Sequence, residues 1–183
     1  MQDSLFFLVK TLTDLYLLTF LLRFIMQWTR ADFYNPFAQF IVRVTNPLVV
    51  PARKIVPSAG GVDMPTLVVL LILEGLVAWA LLAMFDLAVP IGNFILYVLL
   101  RLISLTLWFY TGAIFVYVIL SWVGQGRYSP IGAILADLVE PILRPVRRIV
   151  PPIGGLDLTP LLVLILIQAV VRALMPLLPA VLR

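Results

Sequence analysis

The chain has 183 residues, 63% of them hydrophobic and 12% charged, with a net charge of +4 and a mean hydropathy of +1.12. That is too little polar side chain to coat a water-soluble domain, so a soluble globular class is excluded and the solvent is expected to be lipid. Neither cysteine nor histidine is present. Disulfides, thiolate nucleophiles, Cys/His metal sites, histidine-ligated haem and imidazole proton shuttles are therefore excluded together.

The opening Met-Gln-Asp-Ser carries an acid and no base, unlike the start of a cleaved signal peptide, so the first apolar segment is expected to be retained. That segment runs from about Leu5 to Trp28, and others run from Thr66 to Phe85, Phe94 to Val123 and Pro160 to Leu178. About 20 helical residues cross a hydrocarbon core of about 30 Å, so all four qualify as spans. No period-2 alternation suggests a barrel, which leaves helices as the spanning structure.

The connector at 29–64 holds Arg30, Arg43, Arg53 and Lys54, and that at 123–158 holds Arg127, Arg144, Arg147 and Arg148. The middle connector, around Leu-Ala-Val-Pro-Ile-Gly-Asn, has no base. The bias of bases toward one side puts both basic connectors in the cytoplasm and both termini in the periplasm of a multi-pass inner-membrane protein. Trp28, Trp122, Tyr34 and Tyr128 flank the inner ends of spans one and three, where an aromatic belt belongs.

Inside each basic connector, Asn35-Pro36 and Ser129-Pro130 read as a capping side chain followed by a first-turn proline. An amphipathic helix follows. Phe37, Phe40, Ile41 and Val44 oppose Gln39 and Arg43 in one, and Ile134, Leu135 and Leu138 oppose Asp137 and Glu140 in the other. Both are too short and too polar to span, so they are expected to lie in the interface. Pro47 and Pro141 are expected to end or kink these helices, with Asn46 a candidate cap for a second short helix. Pro51 and Pro145 come next, Pro57 and Pro151 stop the segment, and Gly60-Gly61 and Gly154-Gly155 turn the chain. Asp63 and Asp157 then cap the following span, with Pro65 and Pro160 in its first turn.

These features recur at a constant offset of 94 residues, from Trp28/Trp122 through Pro36/Pro130, Pro47/Pro141, Pro51/Pro145, Arg53/Arg147 and Pro57/Pro151 to Gly60/Gly154, Gly61/Gly155 and Asp63/Asp157. Two spans per copy make the copies parallel. The expected fold is an all-α polytopic membrane protein of two repeats, 1–89 and 90–183. Each repeat is two transmembrane helices around an interfacial, proline-broken amphipathic helix.

Lys10, Asp14, Glu74 and Arg172 lie deep in the spans, where an unpaired charge costs about 3 kcal/mol. Lys10 and Asp14 share a helix face four residues apart, while Glu74 and Arg172 could meet between spans two and four. Gln168 occupies the position matching Glu74. Arg23, Asp86 and Arg101 sit nearer span ends, within reach of water by snorkelling. The deep charges are read either as an ion or proton path or as polar glue between helices. The bases Arg53, Lys54, Arg144, Arg147 and Arg148 are read either as anchors on anionic lipid head groups or as a dock for an acidic partner.

No P-loop, G-x-S-x-G or H-E-x-x-H pattern occurs, only Asp14 among the aspartates is deep, and nothing supports nucleic-acid binding. No enzyme, metal or cofactor is expected.

The twice-written pattern of N/S-P-helix, P-x-x-x-P-x-R-[KR]-I-V-P and G-G-[VL]-D before an apolar span resembles the YggT family of integral membrane proteins, which includes YlmG and plastid relatives. The resemblance covers nearly the whole chain as two tandem copies. It singles out Asn46, Pro47, Pro51, Arg53, Pro57, Gly60, Gly61 and Asp63, with Pro141, Pro145, Arg147, Pro151, Gly154, Gly155 and Asp157; Glu140 replaces Asn46 in the second copy. For plastid relatives it implies a link to assembly of cytochrome b6 with its haem and to nucleoid distribution. For bacterial ones it implies envelope maintenance, division-gene neighbourhoods and tolerance of osmotic or ionic stress. The expected function is thus a non-enzymatic scaffold or assembly factor, partnered by lipids, other membrane proteins or further copies of itself. An oligomeric ion channel and a haem-assembly role are the alternatives.

Overall fold

A computed structural model describes residues 2–122, 129–150 and 157–177, and these are helical throughout apart from turns and one isolated bridge. The helices are α1 (Gln2–Trp28), α2 (Pro36–Ala52), α3 (Met64–Ala83), α4 (Ile91–Trp122), α5 (Pro130–Ile149) and α6 (Thr159–Leu174), with a 3-10 turn at Met175–Leu177. Among the described residues, four stretches are long and apolar enough to cross a membrane: Ser4–Trp28, Met64–Ala83, Ile91–Ser121 and Thr159–Leu177. They coincide with the four expected spans. Large apolar side chains such as Leu8, Leu12, Ile72, Leu76, Ile95 and Leu166 point outward from them, as they must where the surrounding solvent is hydrocarbon.

The amphipathic helices start as the sequence indicates. Asn35 Oδ1 accepts from the Phe37 amide at 2.9 Å, and Ser129 Oγ accepts from the Gly132 amide at 3.0 Å. Each cap is followed by a proline whose absent N–H would have gone unpaired anyway. Asn35 also donates through Nδ2 to the carbonyl of Pro130 at 2.6 Å, joining the starts of α2 and α5.

Neither helix ends at its first internal proline. α2 continues through Pro47 and Pro51 to Ala52, and α5 through Pro141 and Pro145 to Ile149. Each proline removes one donor and sets its ring against the carbonyl four residues back. The four-residue spacing puts both clashes on one face, so the ladder is interrupted there while the opposite face stays helical. Asn46 therefore lies inside α2 and caps no second helix. In α2 the buried positions are Ala38, Ile41, Thr45 and Val49; of the expected Phe37, Phe40, Ile41 and Val44 face, Ile41 is buried, Phe37 and Val44 are half-buried and Phe40 is 56% exposed, so the covered stripe is rotated from that face. In α5 the expected stripe is the buried one, with Ile134 and Leu138 covered and Asp137 exposed.

After α2 the chain turns at Gly60 (φ 61°) and Gly61 (φ 78°), with the Val62 amide donating to the Ala59 carbonyl at 3.0 Å. Two consecutive residues at positive φ define a type I′ turn, which glycine adopts without strain. Arg30 (φ 57°) and Asp86 (φ 50°) occupy the same left-handed region at the ends of α1 and α3. There the amides of Ala31 and Leu87 reach back five residues to the carbonyls of Met26 and Leu82, the hydrogen bond of a Schellman ending.

The chain forms two compact units. One comprises residues 1–24 with 41–105, the other 25–40 with 106–183. The first buries Leu17, Phe20, Leu70 and Leu81, and sets the Phe6 and Phe85 rings edge-on at 5.1 Å. The second buries Met26, Ile114, Ile134, Leu138 and Leu143, and packs α5 on α6.

Candidate functional site

Among the described residues, two constellations bring charged side chains together. The first lies among the spans of the first compact unit. Arg101, 8% exposed, donates through Nε to Glu74 Oε1 at 2.5 Å and through Nη2 to Asp14 Oδ1 at 2.6 Å. The other oxygen of Asp14 faces Lys10 Nζ at 3.5 Å, and the Arg101 guanidinium lies 5.9 Å from the centre of the Tyr97 ring. Two cations and two anions from α1, α3 and α4 thus form one neutral network. A planar guanidinium with donors along its edge can serve two carboxylates at once, which a lysine ammonium does less rigidly.

The expected Lys10–Asp14 pair is present. Glu74 takes Arg101 as its partner rather than Arg172, and among the described residues Arg172 has no acidic partner. Arg101 itself does not snorkel, because buried Glu74 and half-buried Asp14 hold it more strongly than distant water. The signal for it was charge balance: an arginine in the same apolar layer as two acids needs counter-charges there. Glu74 is 1% exposed and its Oε2 atom has no hydrogen-bond partner among the described residues. At the matching position of the second copy, Gln168 donates to Thr111 Oγ1 at 3.5 Å.

The second constellation is the elbow after each amphipathic helix. Arg53 Nη2 donates to Asp63 Oδ2 at 3.0 Å, and Arg147 Nε donates to Asp157 Oδ2 at 3.0 Å. Each clip ties the end of an amphipathic helix to the start of the next span, across ten residues. In the first copy Asp63 is 1% exposed, also accepts from Thr66 Oγ1 at 2.6 Å, and lies 3.9 Å from Arg23 Nε. Although Asp63 stands at the N-cap of α3, its side chain accepts from no backbone amide among the described residues. Pro65 at the second helical position has no N–H to offer, so the threonine hydroxyl one residue on takes its place. Asp157 does bond a backbone amide, that of Thr159 at 2.9 Å, from one residue before the cap of α6.

Arg23 was expected to snorkel and is buried instead. Its Nη1 donates to Thr45 Oγ1 at 2.7 Å and Asn46 Oδ1 at 3.0 Å, pinning the proline-containing half of α2 to α1. This explains the exchange of Asn46 for Glu140. Position 117, which matches Arg23, is Tyr117, so the second copy lacks that buried cation. Arg147 fills the gap, donating through Nη1 to both oxygens of Glu140 at 3.0 and 3.1 Å. Partial burial acts against the charge on Arg147, but Glu140 and Asp157 outweigh it and raise its affinity for the proton. Partial burial likewise works to raise the Asp157 carboxyl, and hydrogen bonding from Thr159 together with Arg147 holds it below the usual carboxylate range.

The other elbow bases face outward: Lys54, Arg144 and Arg148 are exposed and have no acidic partner among the described residues. Of the aromatic belt, Trp28 and Tyr34 are 69% and 89% exposed. Pro151, Gly154, Gly155, Arg127, Tyr128 and the side chain of Trp122 lie outside the described residues.

A protein-family profile described as CCB3/YggT matches two segments, residues 2–85 and 96–178. The chain is 39% identical over 169 residues to the uncharacterized protein YggT of Escherichia coli K12, covering 92% of this chain and 88% of that one. It is 42% identical over 159 residues to an uncharacterized protein of Pseudomonas aeruginosa, covering 85% and 80%. It is 43% identical over 170 residues to a protein of Vibrio alginolyticus described by its place in the proC 3′ region, covering 91% of each. No solved structure matches it.

Proposed function

The chain belongs to the CCB3/YggT family, and from that premise we propose that it is a non-enzymatic scaffold or assembly factor of the bacterial inner membrane, serving envelope maintenance or stress tolerance. The observation that carries this reading is the pairing of three of the four deep charges through one arginine: Arg101 holds both Asp14 and Glu74, and Asp14 also holds Lys10. A neutral, mutually paired network stabilises helix association. What remains for function is outward: apolar span faces, and elbows carrying Lys54, Arg144 and Arg148 on the side assigned to the cytoplasm by charge bias. Partners on this reading are other membrane proteins, anionic lipids or further copies of the chain.

Purification in a mild detergent, followed by identification of bound proteins, tests it. Specific membrane-protein partners are expected, along with a sealed bilayer when the purified protein is reconstituted.

The unpartnered Glu74 Oε2 atom favours a second reading, an ion or proton path. Ion flux in liposomes that Glu74→Gln abolishes while assembly stays normal would establish that path and displace the scaffold.

A further inference from the structure

The two bases of each elbow do different work. Adjacent residues on a helical turn point roughly 100° apart, so only one of a consecutive pair can reach a given acid. The inward one is Arg53 or Arg147, clipped to Asp63 or Asp157. The outward one is Lys54 or Arg148, exposed and without an acidic partner among the described residues. The next residue is Ile55 or Ile149, 83% and 80% exposed and among the most exposed large hydrophobic side chains in the structure. A lone exposed isoleucine means nothing on a soluble surface. Here the same base-isoleucine pair stands outward at both members of a 94-residue repeat, each just beyond a clip that fixes the segment's base.

We propose that Lys54-Ile55 and Arg148-Ile149 are a pair of membrane feet, in which each isoleucine enters the boundary between head groups and acyl chains while the base beside it engages the phosphate of an anionic glycerophospholipid. A bilayer is the fitting occupant because the chain's four spans already place it in one, and cation beside apolar tip is the chemistry of that boundary. Arg53 and Arg147 are positioning residues: their clips to Asp63 and Asp157 hold the feet outward. The inference needs only a membrane-embedded chain, so it stands or falls independently of the scaffold reading.

Because the chain has no cysteine, Ile55→Cys and Ile149→Cys each provide a unique site for a nitroxide. With the protein in vesicles of phosphatidylethanolamine and phosphatidylglycerol, both labels are expected to be relaxed more strongly by oxygen than by a water-soluble nickel complex. In native mass spectrometry, Lys54→Glu with Arg148→Glu is expected to lower retained phosphatidylglycerol at least fivefold, since one such base is worth about that factor in binding. Lys54→Arg with Arg148→Lys should retain it, which separates charge from misfolding. Labels as open to nickel as free water, or phosphatidylglycerol retention unchanged by charge reversal, would overturn the proposal. So would labels that become immobile only when a co-purifying protein is present, which would assign the elbows to a protein partner.

Discussion

Arg53 donates to Asp63 at 3.0 Å, and the carboxylate it meets is 1% exposed although the arginine side chain is 47% exposed. One half of this ion pair is interior and the other is surface. The second copy repeats the clip between Arg147 and Asp157, but with side chains 32% and 36% exposed. The same pair of residues thus has different energetic weight in the two copies.

Asp63→Asn leaves Arg23 and Arg53 around a neutral amide and is expected to destabilise the protein by about 3–5 kcal/mol, as for a broken buried pair. Asp157→Asn, screened by solvent, should cost less than about 1 kcal/mol. Denaturant titration of both variants in detergent checks this; equal losses would show that burial is not what separates the clips.

Asp157 titrates below the usual carboxylate range because hydrogen bonding from Thr159 and the Arg147 charge outweigh partial burial. A depressed folded value contributes stability above the unfolded value, and that contribution is lost as pH falls through the folded one. The second clip is therefore expected to hold at pH 5 and to fail only below about pH 4, the ordinary aspartate range. An NMR titration of the carboxyl carbon reads the midpoint directly, and Arg147→Gln should move it upward.

Arg101→Leu strands Glu74 and part of Asp14 without a cation and should cost about 3–5 kcal/mol. Adding Glu74→Leu removes the stranded acid and leaves Lys10 with Asp14, so the double variant is expected to be more stable than the single one. Unfolding of the wild type, Arg101→Leu, Glu74→Leu and the double variant forms a cycle, and simple additivity would mean the network is not coupled.

Arg30 holds a left-handed conformation that costs a non-glycine residue about 1–2 kcal/mol, whereas the matching position of the second copy is Gly124. Arg30→Gly is expected to raise stability by roughly 0.5 kcal/mol, after allowance for the greater freedom of glycine in the unfolded chain. Gly61→Ala should lose about 1 kcal/mol, through backbone strain alone, since a Cβ there meets nothing within 4 Å. Thermal melts of the two variants should move in opposite directions.

Much of the architecture was legible in particular residues. Apolar runs of bilayer length located the spans, Asn35-Pro36 and Ser129-Pro130 located the helix starts, and Gly60-Gly61 located the turn, because each feature depends on neighbours in the chain. The fate of Pro47 was not legible. A proline weakens a helix, but Arg23 arriving at Thr45 and Asn46 from α1 supplies contacts that a local rule cannot count.

From its order of residues alone the protein is specified as a lipid-solvated, all-helical chain with a duplicated motif, since hydropathy, capping and turn preferences act over a few residues. Which acid each arginine takes was settled only when distant segments met. Arg101 reaches Glu74 27 residues back and Asp14 87 residues back, and Coulomb attraction selects partners by distance in space under a low dielectric, with no regard for separation along the chain.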